Sequence, residues 1–129
     1  MTSRFPLRVL TVIAVGGIVG ALARVALAEV LGTGSYQQLT ATLTVNVVGA
    51  LAIGSAFPWV RERTSNPLLQ PFLITGVLGG FTTFSTFAAD VVLTEVSMGA
   101  TLIYIAATLF AGLVAVPVGA WLYRSVRTG

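Results

Sequence analysis

The chain has 129 residues, of which 56% are hydrophobic and only 9% charged, with a mean hydropathy of +0.95 and a formal charge of +3. Soluble domains carry about 25% charged residues, so a surface facing water all round is excluded. The absence of cysteine excludes disulfides and thiolate metal sites, and the absence of histidine removes the commonest general base and metal ligand.

At about 20 apolar residues per helical span, this length accommodates four spans with short connections. The expected fold is therefore an all-α membrane protein, one integral membrane domain over residues 1–129. The start MTSRFPLRVLTVIAVGG has the basic head and apolar body of a secretory leader. The apolar run continues to Ala23 without a polar cleavage region, so a first membrane span is expected instead. Span 1 is placed at about residues 7–28 and span 2 at about 39–60, where Pro58 and the run Arg61-Glu62-Arg63 close it. Span 3 begins after Pro67 and covers about residues 68–94; span 4 covers about 99–123. Continuous hydrophobicity in lipid favours helices, because open strand edges would find no hydrogen-bond partner there.

Polar groups inside a span are costly and each needs a reason. Span 1 carries GGIVGALAR at residues 16–24. Gly16 and Gly20 form a small-xxx-small pair that lets another helix approach closely. Arg24 lies near the end of the span, where it can snorkel to the interface or point inward. Span 2 carries ATLTVNVVG at residues 41–49, with Asn46 as its only amide. That amide either bonds a neighbouring helix or faces a water-filled or ion-conducting path. In span 4, Thr101, Tyr104 and Thr108 share one helical face by their spacing of three and four.

Span 3 is the least helix-friendly. Its segment GGFTTFSTF, residues 79–87, holds two glycines, four hydroxyl side chains and three phenylalanines. Gly79-Gly80 weakens a helix, and Thr82, Thr83, Ser85 and Thr86 offer competing hydrogen bonds. A helix broken near the middle of span 3 is expected, which membrane depth tolerates only where backbone is buried or lines a cavity. Freed carbonyls can coordinate a cation. Phe84 and Phe87, three apart, share a face and either pack or present their positive ring edges to an anion.

In this order and spacing, Gly16-Gly17 through Arg24, Thr42-Leu43 through Asn46 and Gly49, and GGFTTFSTF resemble the Fluc/CrcB family of small fluoride channels. The four-span plan extends the resemblance over the whole chain. It implies an antiparallel, dual-topology dimer of two four-helix subunits with two fluoride pores in the plasma membrane, lowering cytoplasmic fluoride by passive export. Backbone carbonyls of Gly79 and Thr82 would hold a structural, untransported Na⁺ at the dimer centre. Phe84 and Phe87 would line the fluoride path by their ring edges, Asn46 would donate to the ion, and Ser85 and Thr86 would supply hydroxyls. Arg24 would stand at the pore vestibule, with Tyr104 and Thr108 on a polar track in span 4. Gly112, one turn further, has no side chain to extend that track.

Two rival classes have distinct requirements. A small antiparallel-dimer multidrug or cation exporter needs a carboxylate deep in a span, whereas Glu29 lies near an end and Asp90 lies past the expected break. A non-conducting assembly subunit would use its glycines merely for packing, which leaves Asn46 together with TTFSTF unexplained; a partner subunit that needs a paralogue to conduct stays an alternative, with one of its pores degenerate. An enzyme lacks histidine, cysteine and paired central acids.

Arginine placement adds an orientation. Arg4 and Arg8 precede span 1, Arg61 and Arg63 separate spans 2 and 3, and Arg124 and Arg127 follow span 4. The other two connections, ALAEVLGTGSYQQ and LTEVSMGA, contain none. The positive-inside rule therefore places both termini in the cytoplasm. A strictly dual-topology homodimer requires near-zero bias, so this chain is expected to pair with a paralogous subunit of opposite bias. Expressed alone with a C-terminal tag, it should expose the tag only on the cytoplasmic side; appreciable exposure on the outer side would contradict a fixed orientation.

Overall fold

The computed structural model describes residues 6–128; Arg4, counted above, lies outside them. Among the described residues the chain is all helix and connection, and four segments are long and apolar enough to cross a membrane. Helix α1 (Leu7–Leu31) starts after Pro6, whose fixed φ suits a helix entrance. It stops at Gly32, whose φ of 102° lies in the region that favours glycine. Helix α2 (Ser35–Arg63) ends with Arg61 and Arg63 in its last turn, where cations complement the helix dipole. The next connection is tied locally: the Asn66 side chain accepts from the Leu68 N–H at 3.0 Å.

The third membrane-length segment, Pro71–Leu93, is composite. A π-helical stretch (Pro71–Leu78) runs into one turn of α3 (Gly79–Phe81), and α4 (Phe84–Leu93) follows. Between α3 and α4 the backbone is extended, with φ/ψ of −72°/157° at Thr82 and −147°/124° at Thr83. Gly79 and Gly80, expected to weaken the helix, are themselves helical. The missing side chain of Gly80 serves close packing instead, since a Cβ there would meet the Gly17 backbone. Helix α5 (Met98–Thr128) completes the chain.

The helices pack as two pairs. Helix α1 lies along the π-helical stretch and α3, and α2 lies along α5. Glycines set both distances. A Cβ on Gly20 would collide with the Val77 carbonyl, so the small-xxx-small pair of α1 receives span 3. In the second pair a Cβ on Gly54 would strike the Val116 carbonyl, and one on Gly119 the Leu51 carbonyl. Ser55 adds a hydrogen bond from its hydroxyl to the Gly119 carbonyl at 2.9 Å. At the far end the Glu62 carboxylate of α2 is ion-paired with Arg127 and accepts from the Tyr123 hydroxyl of α5.

Much of the remaining surface is apolar and exposed, including Ile18, Leu22, Ile103, Phe110 and Leu113. In water such a surface would be an aggregation liability; in a bilayer it is the surface lipid requires. The buried cluster is small and centred on Leu39, Phe87 and Tyr104. It sits where α2, α4 and α5 meet.

Close contact through Gly54 makes a simple test. Gly54→Ala should destabilise the protein by about 1–3 kcal/mol through overpacking, read as loss of thermal or denaturant stability in detergent. Gly99→Ala, where an added Cβ has nothing within 4 Å, should leave stability unchanged. Equal behaviour of the two variants would contradict the packing described.

Candidate functional site

The extended link at Thr82 and Thr83 leaves peptide groups without helical partners at membrane depth, where each costs several kcal/mol if unsatisfied. Asn46, midway along α2, meets that need at Thr83. Its Oδ1 accepts from the Thr83 N–H at 2.8 Å, and its Nδ2 donates to the Thr83 carbonyl at 2.9 Å. The carboxamide thus pairs with both the N–H and the carbonyl of one residue, as a neighbouring strand would. Of the two readings open from the sequence, the interhelical bond is present. A carboxamide nitrogen carries two N–H groups, so one remains for the groove that Asn46 lines.

The clamp has a consequence upstream. In a continuous helix the Thr83 N–H would bond the Gly79 carbonyl; here it goes to Asn46. Gly79 is exposed at the protein surface, and its carbonyl is without the Thr83 donor that a continuous helix would supply. Thr82 keeps its N–H and hydroxyl on the Leu78 carbonyl, at 3.0 and 3.1 Å.

Downstream, Thr83 caps α4. Its Oγ1 accepts from the Thr86 N–H at 3.0 Å. The same oxygen lies 2.9 Å from the Thr86 hydroxyl and 3.3 Å from that of Ser85. A hydroxyl cluster therefore surrounds the start of a helix whose dipole is positive at that end.

A groove of about 360 Å³ opens beside this cap. Asn46, Thr82, Thr83, Phe84, Phe87 and Thr108 line it, with Gly112 at its far wall. Phe84 is 75% exposed and Phe87 9%, their ring centres 5.7 Å apart and tilted by 47°. Thr108 is buried, and its Oγ1 has no hydrogen-bond partner among the described residues. A buried hydroxyl is normally satisfied; this one is shielded from the groove, and the Thr108 side chain adjoins both the groove and Tyr104.

Tyr104 stands behind this groove, outside its lining. Its ring packs on Phe87 with centres 5.5 Å apart, and its hydroxyl donates to Asp90 at 3.0 Å. The other Asp90 oxygen accepts from Gln38 Nε2 at 2.7 Å. Asp90 is only 1% exposed, and these two donors from α2 and α5 compensate its burial. Thr101 turns back on its own helix, donating to the Ser97 carbonyl.

A second cavity, of about 440 Å³, lies across the clamp from the groove. Arg24, Glu29, Gln38, Thr42, Thr83 and Thr86 are among its lining. Thr83 belongs to both cavities and forms the wall between them. The structure therefore gathers Asn46, Phe84, Phe87 and Thr108 in one space, and Arg24 with Thr86 in the other. Ser85 and Gly79 are exposed outside both.

Sequence reasoning missed the weight of Thr83, Asp90 and Gln38. Thr83 was legible as an N-cap, being a threonine just ahead of the FSTF turn. Asp90 continues the 84–87 spacing of three by one more step. Gln38 carried no signal, because its reason is a carboxylate 52 residues away.

Comparison with known proteins supplies the family. Residues 11–120 match the family described as "CrcB-like protein, Camphor Resistance (CrcB)". A Streptomyces coelicolor protein named fluoride-specific ion channel FluC 1 is 41% identical over 121 residues, covering 92% of this chain and 79% of that protein. A Rhodospirillum centenum protein named fluoride-specific ion channel FluC is 42% identical over 125 residues, covering 83% and 94%. An Escherichia coli protein of the same name is 34% identical over 122 residues, covering 92% and 96%. A family match spanning most of the chain, with relatives 34–42% identical along most of their own length, makes this chain a member of the CrcB family.

Proposed function

We propose that this chain is a subunit of a fluoride-specific channel that lets cytoplasmic fluoride leave passively across the plasma membrane. The observation that carries the reading is the Asn46 carboxamide, bonded to both the N–H and the carbonyl of Thr83 at membrane depth and lining one groove with Phe84, Phe87 and Thr108. The names of the relatives point the same way.

Fluoride is small and strongly hydrated, so a pore must replace its water with closely spaced donors. The second N–H of Asn46 supplies one such donor, and the Thr108 hydroxyl supplies another by turning towards the groove that its side chain lines. The ring edges of Phe84 and Phe87 add weak positive potential. The start of α4, capped by Thr83 with the hydroxyls of Ser85 and Thr86 beside it, contributes its dipole. These partial charges attract the anion without a fixed cation that would trap it. Arg24, half-buried in the second cavity, draws anions towards the entrance. Tyr104 holds Phe87 in place, with Asp90 and Gln38 fixing Tyr104 in turn.

A structural Na⁺ belongs to the same reading, held by the backbone carbonyls of Gly79 and Thr82 and not transported. The residues fit: Gly79 is exposed and its usual helical donor is engaged by Asn46. Hard cations bind carbonyl oxygens. Two carbonyls per subunit complete a shell only when a second subunit meets the first, and an antiparallel dimer brings two such links together. The arginine bias argues that the second subunit is a paralogous chain of opposite orientation. Asp90 does not favour an exporter, since both its oxygens are occupied by internal donors. A channel also fits a family of transport proteins better than an enzyme does.

Reconstituted in liposomes, alone and with a paralogous partner, the protein should release fluoride and leave chloride trapped. Absence of fluoride flux in both preparations would remove the channel reading. Thr108→Val keeps the shape and deletes the donor, so flux should fall about tenfold, equivalent to one net hydrogen bond of about 1.4 kcal/mol. Thr108→Ser should retain most of it. Phe84→Ile or Phe87→Ile should sharply reduce flux with assembly intact on size-exclusion chromatography. Unchanged flux in these variants would place the path elsewhere.

A further inference from the structure

At the end of the molecule carrying Arg61, Arg63, Arg124 and Arg127, α2 and α5 enclose a groove of about 660 Å³. Its inner wall is apolar, formed by Ile53, Phe57, Val116 and Ala120, and its mouth carries Arg61 and Arg124. The Arg61 guanidinium sits 5.8 Å from the centre of the Phe57 ring, a cation–π contact that holds the charge above the apolar wall.

Glu62 is the one acid in the groove lining, and its carboxylate is already engaged by Arg127 and Tyr123. The other three acids of the chain lie elsewhere: Asp90 is buried against Tyr104 and Gln38, while Glu29 in the last turn of α1 and Glu95 just after α4 lie at the opposite end. Among the described residues, Arg61 and Arg124 line the groove with no carboxylate ion-paired to either. Prolines shape the walls: Pro58 and Pro117 remove one helical N–H each from α2 and α5 near the groove.

We infer that this groove binds one anionic phospholipid, its phosphate between Arg61 and Arg124 and an acyl chain along Phe57, Ile53 and Val116. Guanidinium groups suit phosphate because their donors lie in a planar fork. Basic pockets between spanning helices bind anionic headgroups by the same chemistry. A soluble anion would use only the mouth and leave the apolar wall uncovered, whereas a lipid satisfies both. The site is independent of the fluoride groove, which lies on the other side of the Gly54 and Gly119 crossing.

The test is native mass spectrometry of the detergent-purified full chain with equimolar dioleoyl-phosphatidylglycerol and dioleoyl-phosphatidylcholine. Retention of phosphatidylglycerol should exceed that of phosphatidylcholine on the order of tenfold, as expected for two arginines at a membrane surface. The double variant Arg61→Gln/Arg124→Gln should lose the preference, and Arg8→Gln, outside the groove, should keep it. Millimolar inorganic phosphate should not displace the lipid. Equal retention of the two lipids by the unmodified chain would overturn the inference, whether or not the double variant assembles. So would a preference that survives the double substitution, or displacement by inorganic phosphate.

Discussion

The two hydrogen bonds from the Asn46 carboxamide to the N–H and the carbonyl of Thr83 are the constraint on which the site depends. Lipid supplies no hydrogen bonds, so a span that leaves helical geometry must find partners within the protein. An amide side chain is the one neutral group that can donate and accept in the geometry of a peptide. It lets two extended residues persist between α3 and α4, and it diverts the Thr83 N–H from the Gly79 carbonyl. Everything beside the link follows from that diversion: a released oxygen on one side, a capped helix start on the other, and a wall between two cavities.

The surroundings hold the clamp in register. Asn46 can reach Thr83 only if α2 stands close to span 3, and Gly49, one turn on, provides that closeness: a Cβ there would collide with the Thr82 side chain. On the α5 side, Tyr104 spans Phe87 and Asp90, so the orientation of α4 is set by an aromatic contact and a hydrogen bond together. Gln38 closes the arrangement from the start of α2. The buried carboxylate acts here as a structural hub, with its burial compensated by two donors on different helices.

The four membrane-length helices were legible in the sequence because composition and run length decide them. The unusual character of span 3 was legible too, since glycines and hydroxyls crowd a place where lipid would want neither. What could not be read was the reason for each residue. Gly79-Gly80 looks like a helix breaker, but whether a glycine relaxes a backbone or admits a neighbour depends on what lies opposite, and Gly80 faces Gly17. The start of α2 was hidden because Tyr36, Gln37 and Gln38 are polar; Gln38 belongs in the span only because Asp90 meets it. The π-helical stretch from Pro71 has no sequence signature of its own. Asn46 left two readings open, and the choice required knowing that the Thr83 peptide would be extended.

The most direct measurement is the rate of fluoride efflux from liposomes containing Asn46→Ala, compared with the unmodified protein at an equal amount of reconstituted protein. If the carboxamide both clamps the link and offers its second N–H to the ion, efflux should drop to the level of protein-free liposomes, with chloride still retained. Efflux at the unmodified rate from a fully assembled Asn46→Ala protein would contradict the account, because the link and the fluoride path would then exist without the interaction on which both are argued to depend.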